Sequence, residues 1–294
     1  FAWRHAFFPS VGRIDGKPVL VVDDIDRTGN GVIRLFEWHG AGKLAALPYV
    51  APRKRPPYPR ADGPRLAKYP RLFAMADELV LFYADERPVV EHVTRDFRFR
   101  SVDVLADAGV INPVAWQAQG NIYAAWQDPQ AGYAAVLRRY DGTRWHTLPL
   151  PHRPTRSLDP IYLFESAGYV YFSEGRKDGL ELVLYRIGAD GAVEPIRASG
   201  LARSPRYAFA TLRGNLYAAC VAADATNAVL SRWNGETWTN HAVPGLDADV
   251  RAVHLAADDD AGRLYLLYEY QRIGKDTDGR IRIDHRMRAA VATP

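Results

Sequence analysis

Pro113-Val-Ala-Trp116, Gly120-Asn121, Ile122-Tyr-Ala-Ala-Trp126, Ala134-Ala-Val-Leu-Arg-Arg-Tyr140, Asp141-Gly142 and Arg144-Trp-His-Thr-Leu148 follow one another within 36 residues. The apolar runs are short, rich in aromatic and β-branched residues, and carry no helical period, so they read as four strands. The Gly-Asn and Asp-Gly pairs accept the positive φ that a tight hairpin demands. The stretch therefore encodes a four-stranded antiparallel meander.

Working outward, the same order of proline, apolar run, turn and second apolar run recurs from Pro9, Pro70, Pro160 and Pro205, with Val250 in the proline's place in a sixth copy. The spacings of 61, 43, 47, 45 and 45 residues cluster near the length of a propeller blade. The long first spacing holds an insertion at 52–68, Pro- and Arg-rich, expected to be an extended loop. Gly16, Gly120, Gly168, Gly214 and Gly262 mark the first turn of their copies, and Asp77-Glu78 stands there in the second copy. Gly40, Gly142, Gly191 and Gly235 mark the third turn. Second-strand segments such as Leu79-Val-Leu-Phe-Tyr83 and Leu216-Tyr-Ala-Ala-Cys220 are continuously apolar, as strands buried on both faces must be. The expectation is an all-β, six-bladed β-propeller forming one domain over 1–294, with four-stranded blades beginning near 9, 70, 113, 160, 205 and 250. A terminal segment is expected to supply the outer strand of the sixth blade, the N-terminal Ala2–Ala6 ahead of the C-terminal Arg288–Ala292, because an open blade would leave an unpaired edge.

The hairpins Tyr140-Asp-Gly-Thr-Arg-Trp145 and Trp233-Asn-Gly-Glu-Thr-Trp238 resemble the aromatic-Asp-Gly-x-x-Trp turns of sialidase-like and kelch-like propellers. The Ser of a full Asp box is missing, with Arg139 and Arg232 preceding the aromatic residue. The resemblance covers the blade pattern along the chain and implies the fold; activity has to be argued from a site.

Composition narrows the function classes. A formal charge of +4, from 38 basic and 34 acidic side chains that are mostly interspersed, does not mark a nucleic-acid binder. Cys220 stands alone, so neither an intramolecular disulfide nor a cysteine-based zinc site can form. No apolar stretch is long enough for a membrane-spanning helix. There is no Gly-x-Ser-x-Gly elbow and no phosphate loop, and the eight histidines show no pair at metal-ligand spacing. No cofactor is expected. The Ala, Arg and Asp richness is that of a GC-rich bacterial genome, and a secreted or periplasmic location is the expectation.

In propellers the loops entering the innermost strands, and those joining the second and third strands, surround the axial channel on one face. Residues beside the repeat prolines, or beside Val250 in the sixth copy, include Tyr69, Asn112, Asp159 and Asp249 before them, and Arg71, Arg206 and Arg251 after them. Because side chains two apart on a strand share a face, both sets are expected to point the same way. Converging guanidinium forks would suit a carboxylated or sulfated sugar. Alternatively the arginines pair with Asp159 and Asp249 and form a wet structural ring.

The second-to-third-strand loops are charged. Glu174 and Glu269 directly follow apolar strands, where an acid or base would be rigidly held, and Tyr270 could act as an aryl nucleophile of the sialidase-like kind. Asp23, Asp24, Asp26 and Asn30 offer several oxygens from one loop, a candidate cation site without full calcium-loop spacing. The leading reading is a non-catalytic recognition propeller for an anionic glycan or a protein partner. The alternatives are a carbohydrate-active enzyme, a sialidase-like hydrolase or polysaccharide lyase using the same face, and a scaffold module of a larger surface assembly.

Overall fold

The computed structural model describes residues 7–25, 31–40, 43–49, 68–85, 87–151, 161–166, 168–175, 182–196, 199–202, 204, 207–221, 228–243, 250–275, 278 and 281–292. The insertion at 52–68 lies outside them except for Lys68. The described residues contain strands and turns and no helix. They form six sheets of antiparallel strands, the blades of a six-bladed β-propeller.

The chain divides into two compact units, Phe1–Thr147 and Leu148–Pro294. In the first, blade one comprises β1 (Phe7–Ile14), β2 (Lys17–Ile25), β3 (Gly31–Trp38) and β4 (Leu44–Ala46). Blade two comprises β5 (Lys68–Ala74), β6 (Glu78–Asp85), β7 (Arg87–Thr94) and β8 (Phe99–Val104). Blade three comprises β9 (Ile111–Ala118), β10 (Asn121–Asp128), β11 (Ala134–Tyr140) and β12 (Trp145–Leu148). In the second unit, blade four runs through β13 (Tyr162–Ser166), β14 (Tyr169–Gly175), β15 (Leu182–Ile187) and β16 (Val193–Ile196). Blade five runs through β17 (Tyr207–Leu212), β18 (Asn215–Val221), β19 (Ala228–Trp233) and β20 (Trp238–Ala242). Blade six has β21 (Val250–Asp258), β22 (Arg263–Lys275) and β23 (Ile281–Ala292).

The reason second strands are continuously apolar is visible in β6. Leu79, Leu81 and Tyr83 pack against Val19, Val21 and Ile33 of blade one. Val80 and Phe82 point the other way, into a cluster with Ile122, Ala124 and Trp126 of blade three. Alternation along a strand thus feeds two interfaces, and neither face meets water. β18 repeats the arrangement: Leu216, Ala218 and Cys220 face blade four, while Ala219 packs with Val253 and Leu266 of blade six.

The nine turn glycines all have positive φ, between 65° and 103°. Gly12 has a different role: a Cβ there would stand 2.6 Å from the carbonyl oxygen of Leu72, so only glycine lets β1 and β5 approach this closely. The repeat prolines sit at bulges. Register shifts between Phe7 and Ser10, and between Lys68 and Arg71, bracket Pro9 and Pro70, and the corresponding shift in blade three brackets Pro113. Proline has no N–H for the ladder, so the chain skips a pairing there. A bulge also breaks the two-residue alternation, so the rule that residues two apart share a face does not extend across Pro70 from Tyr69 to Arg71.

Among the described residues blade six has three strands. Arg288–Ala292 belongs to the third of them, pairing with β22 from Tyr268 back to Leu264, and is not a fourth strand. Ala2–Ala6 lies outside the described residues.

Candidate functional site

Arg71 directly follows the repeat proline of blade two. It lies on β5, paired in register with Phe82, and is exposed. Its Nη1 donates to the carbonyl oxygen of Pro70 at 3.2 Å. Among the described residues no carboxylate forms an ion pair with it. Crowding by protein atoms desolvates the guanidinium and pulls its pKa below the ordinary arginine range, with no anion acting in the other direction.

Asn112 takes φ 50°, a left-handed conformation that Asn tolerates, and its Nδ2 donates to Oε1 of buried Gln127 at 2.9 Å. Ser10, in the position equivalent to Arg71, is buried and donates its hydroxyl to the carbonyl of Pro70. Asp159, Arg206, Asp249, Asp26 and Asn30 lie outside the described residues. Tyr69, Arg251, Glu269, Tyr270, Asp23 and Asp24 are described as backbone only.

That backbone moves several of them from loops into strands. Asp23 and Asp24 pair with Ile33 and Val32 inside β2, so they belong to a ladder and not to one loop shared with Asp26 and Asn30. Glu269 and Tyr270 pair with Met287 and Arg286 within the long β22–β23 ribbon, which continues to Lys275. Glu174 lies on β14, buried, and its Oε1 accepts a 2.6 Å hydrogen bond from the buried hydroxyl of Tyr185 on β15. That geometry ties two strands of one blade together.

Sequence reasoning missed a second constellation, in blades two and three. Glu78 opens β6 and is 8% exposed; its Oε1 accepts from the Tyr140 hydroxyl at 2.9 Å and faces Nδ1 of His92 at 3.1 Å. Nε2 of His92 meets Oδ2 of Asp103 at 3.1 Å. Burial above all, then the bond to Glu78, raises the Tyr140 phenol's pKa far above 10, so it stays a donor. These groups line a cleft of about 750 Å³ at the β5–β6, β9–β10 and β11–β12 turns, with Met75, Asp77, Arg100, Gln117 and Asp141 among its walls. The signal in the sequence was Asp77-Glu78, the acidic pair where five other blades place glycine. A third network, Glu91 accepting from Tyr49 and from Tyr83 at 2.6 Å, is enclosed in the blade one–two core and serves packing.

No metal-binding group of three or more His, Cys, Asp or Glu side chains occurs among the described residues. No helix among them is long and apolar enough to cross a membrane.

No protein-family model and no curated protein matches the chain. Solved structures do match. A subtype N11 neuraminidase-like protein of A/flat-faced bat/Peru (H18N11) superposes with a TM-score of 0.56 at 8% identity, covering 98% of this chain and 88% of its own. Trypanosoma rangeli sialidase in complex with the inhibitor DANA gives 0.53 at 12% identity over 95% of this chain, which spans 54% of that protein. An arginine-to-alanine triple mutant of AofleA from Arthrobotrys oligospora gives 0.52 at 11% identity, covering 99% and 91%. Likeness at these identities is one of fold. The chain is a six-bladed β-propeller, the fold it shares with these structures.

Proposed function

We propose that this propeller is a carbohydrate-active enzyme that takes an acidic sugar at the Arg71 face of blade two. The observation that carries the proposal is Arg71 itself: exposed, desolvated, and without an ion-paired carboxylate among the described residues. Keeping a guanidinium in such surroundings costs free energy that a ligand carboxylate or sulfate, bound through two parallel N–H···O contacts, would recover. The sialidase and neuraminidase-like folds support chemistry on such a sugar over passive capture.

Recognition without turnover is the second reading, and the enclosure of Glu174 against Tyr185 favours it, because an acid so placed does not meet a substrate. One experiment separates them. The protein is incubated with sialylated, uronate-containing and sulfated oligosaccharides, and products and binding are measured together. An enzyme releases reducing ends or unsaturated uronates; a recognition module binds and leaves the glycan intact. In both cases Arg71→Ala weakens the interaction roughly tenfold or more while the unfolding midpoint stays near that of the parent. Indifference to every acidic glycan, or an Arg71→Ala variant that behaves like the parent, would sink the proposal.

A further inference from the structure

We propose that the third turn of blade five, Trp233-Asn-Gly-Glu-Thr-Trp238 between β19 and β20, is a self-modification site at which Asn234 loses its side-chain amide and becomes aspartate. The sequence has two Asn-Gly pairs; Asn30 of the other lies outside the described residues. Asn234, Gly235, Glu236 and Thr237 are all exposed, so water, the only co-reactant, reaches the turn.

Three groups that such a reaction uses are in place. The nucleophile is the backbone nitrogen of Gly235, which follows Asn234 in the chain, so its attack on Cγ closes a five-membered ring. Gly235 has no side chain to obstruct that approach, and its φ of 103° is one that glycine takes without strain. Its N–H donates to no group among the described residues. Oδ1 of Asn234, where negative charge gathers as Cγ becomes tetrahedral, accepts from the backbone N–H groups of Glu236 at 2.9 Å and Thr237 at 2.8 Å. Two fixed backbone donors on a developing oxyanion lower the barrier of acyl transfer. Nδ2, the leaving nitrogen, donates to Oγ1 of Thr237 at 3.3 Å. A hydroxyl also donates, so Thr237 is placed to protonate Nδ2 once its lone pair is freed.

In the first step the bond from Gly235 N to Cγ forms and the Cγ–Nδ2 bond breaks. Ammonia departs; Thr237 supplies its extra proton and is reprotonated by water, which takes up the proton Gly235 loses. Water then adds to Cγ of the succinimide, the bond to Gly235 N breaks, and aspartate and an intact backbone remain. Nothing is oxidised or reduced. Blade three already runs its equivalent turn on the product: Oδ1 of Asp141 accepts from the backbone N–H groups of Thr143 at 2.8 Å and Arg144 at 3.0 Å. The backbone bridge matches too, Asp141 N–H to Arg144 at 3.3 Å and Asn234 N–H to Thr237 at 3.2 Å. Aspartate therefore fits the blade-five turn as it stands. Isoaspartate, formed when water attacks the other ring carbonyl, lengthens the backbone by one atom and disturbs the pairing of Trp233 with the buried Trp238.

The test follows the tryptic peptide Trp233–Arg251 by mass spectrometry after storage at mildly alkaline pH, with the chain native or unfolded in urea. The same peptide carries an internal control, Asn240, whose Nδ2 donates to Gly200 and whose Oδ1 accepts from Ser231, both at 2.6 Å. The expected result is that Asn234 acquires the mass of an acid at least as fast in the native chain as in urea, with aspartate exceeding isoaspartate in the native chain, while Asn240 keeps its amide. Thr237→Val should slow the native reaction roughly tenfold and leave the rate in urea unchanged, and Thr237→Ser should restore it. The comparison of native and unfolded chain needs no substitution, so it decides the matter if a Thr237 variant folds poorly. An Asn234 amide that outlasts its unfolded counterpart, equal loss at Asn240, or Thr237→Val converting at the parent's rate would overturn the proposal.

Discussion

Replacing Tyr83 with Phe removes one oxygen from a fully enclosed site and nothing else. Tyr83 on β6 is 1% exposed and Glu91 on β7 is 0% exposed, and the phenol donates to Oε1 at 2.6 Å. A hydrogen bond to an ionised acceptor is worth about 1.5–3 kcal/mol, and Glu91 keeps its Tyr49 donor, so we expect Tyr83→Phe to cost about 2 kcal/mol. Glu91→Gln makes the acceptor neutral, where the same hydroxyl is worth only about 1 kcal/mol. The double variant should therefore be less destabilised than the sum of the singles by about 1 kcal/mol. Urea unfolding of the four proteins, followed by tryptophan fluorescence, measures this cycle; equal slopes for all four would license the comparison. A loss below about 0.5 kcal/mol in Tyr83→Phe, or strict additivity, would refute the claim that this carboxylate is held by the tyrosines.

Single contacts give three further predictions. Gly12→Val should unfold at markedly lower temperature than Gly16→Ala, because a side chain at Gly12 meets the Leu72 carbonyl at 2.6 Å whereas Gly16 has open space and loses only its φ of 78°; a comparable midpoint for the two, by calorimetry, would refute the close approach of β1 and β5. Burial pushes the Cys220 thiol from 9.0 up to about 12, so iodoacetamide at pH 8 should label it only under unfolding conditions. The sign of the linkage follows: the folded chain favours the neutral thiol, a contribution fully present below about pH 9 and lost as pH rises towards about 12. Asp141 is held well below the ordinary carboxylate range, chiefly by Thr143 and then by the Arg144 backbone and His146. Its contribution is present above pH 3.8 and fades as pH falls, so Asp141→Asn should flatten the acid limb of the stability curve, measured by unfolding midpoint against pH.

The period near 45 residues, the turn glycines and the apolar second strands were legible because each is a local requirement. A tight hairpin needs positive φ within two residues, and a strand between two neighbours needs apolar side chains on both faces. Pro70 announced an innermost strand for the same local reason. What it did not announce was the bulge between Lys68 and Arg71, which depends on where β6 resumes its pairing. Strand lengths were likewise decided across the ladder: Glu269 and Tyr270 look like loop residues until Ile281–Ala292 is seen paired beside them.

Arg71 and the Glu78 cleft show the division most sharply. That Arg71 follows the repeat proline is a matter of sequence, and so is the acidic pair standing where the other blades have glycine. Glu78 and Tyr140 stand 62 positions apart, with His92 and Asp103 between them and no motif spacing to connect the four. They meet because β6, β7 and β8 lie side by side and β11 of the next blade brings Tyr140 to the same oxygen. Sequence by itself determined the blades and their turns, since repeats and turns are written in neighbouring residues. Tertiary structure alone decided which polar groups share a pocket, since hydrogen bonds depend on distance in space and the chain records only order.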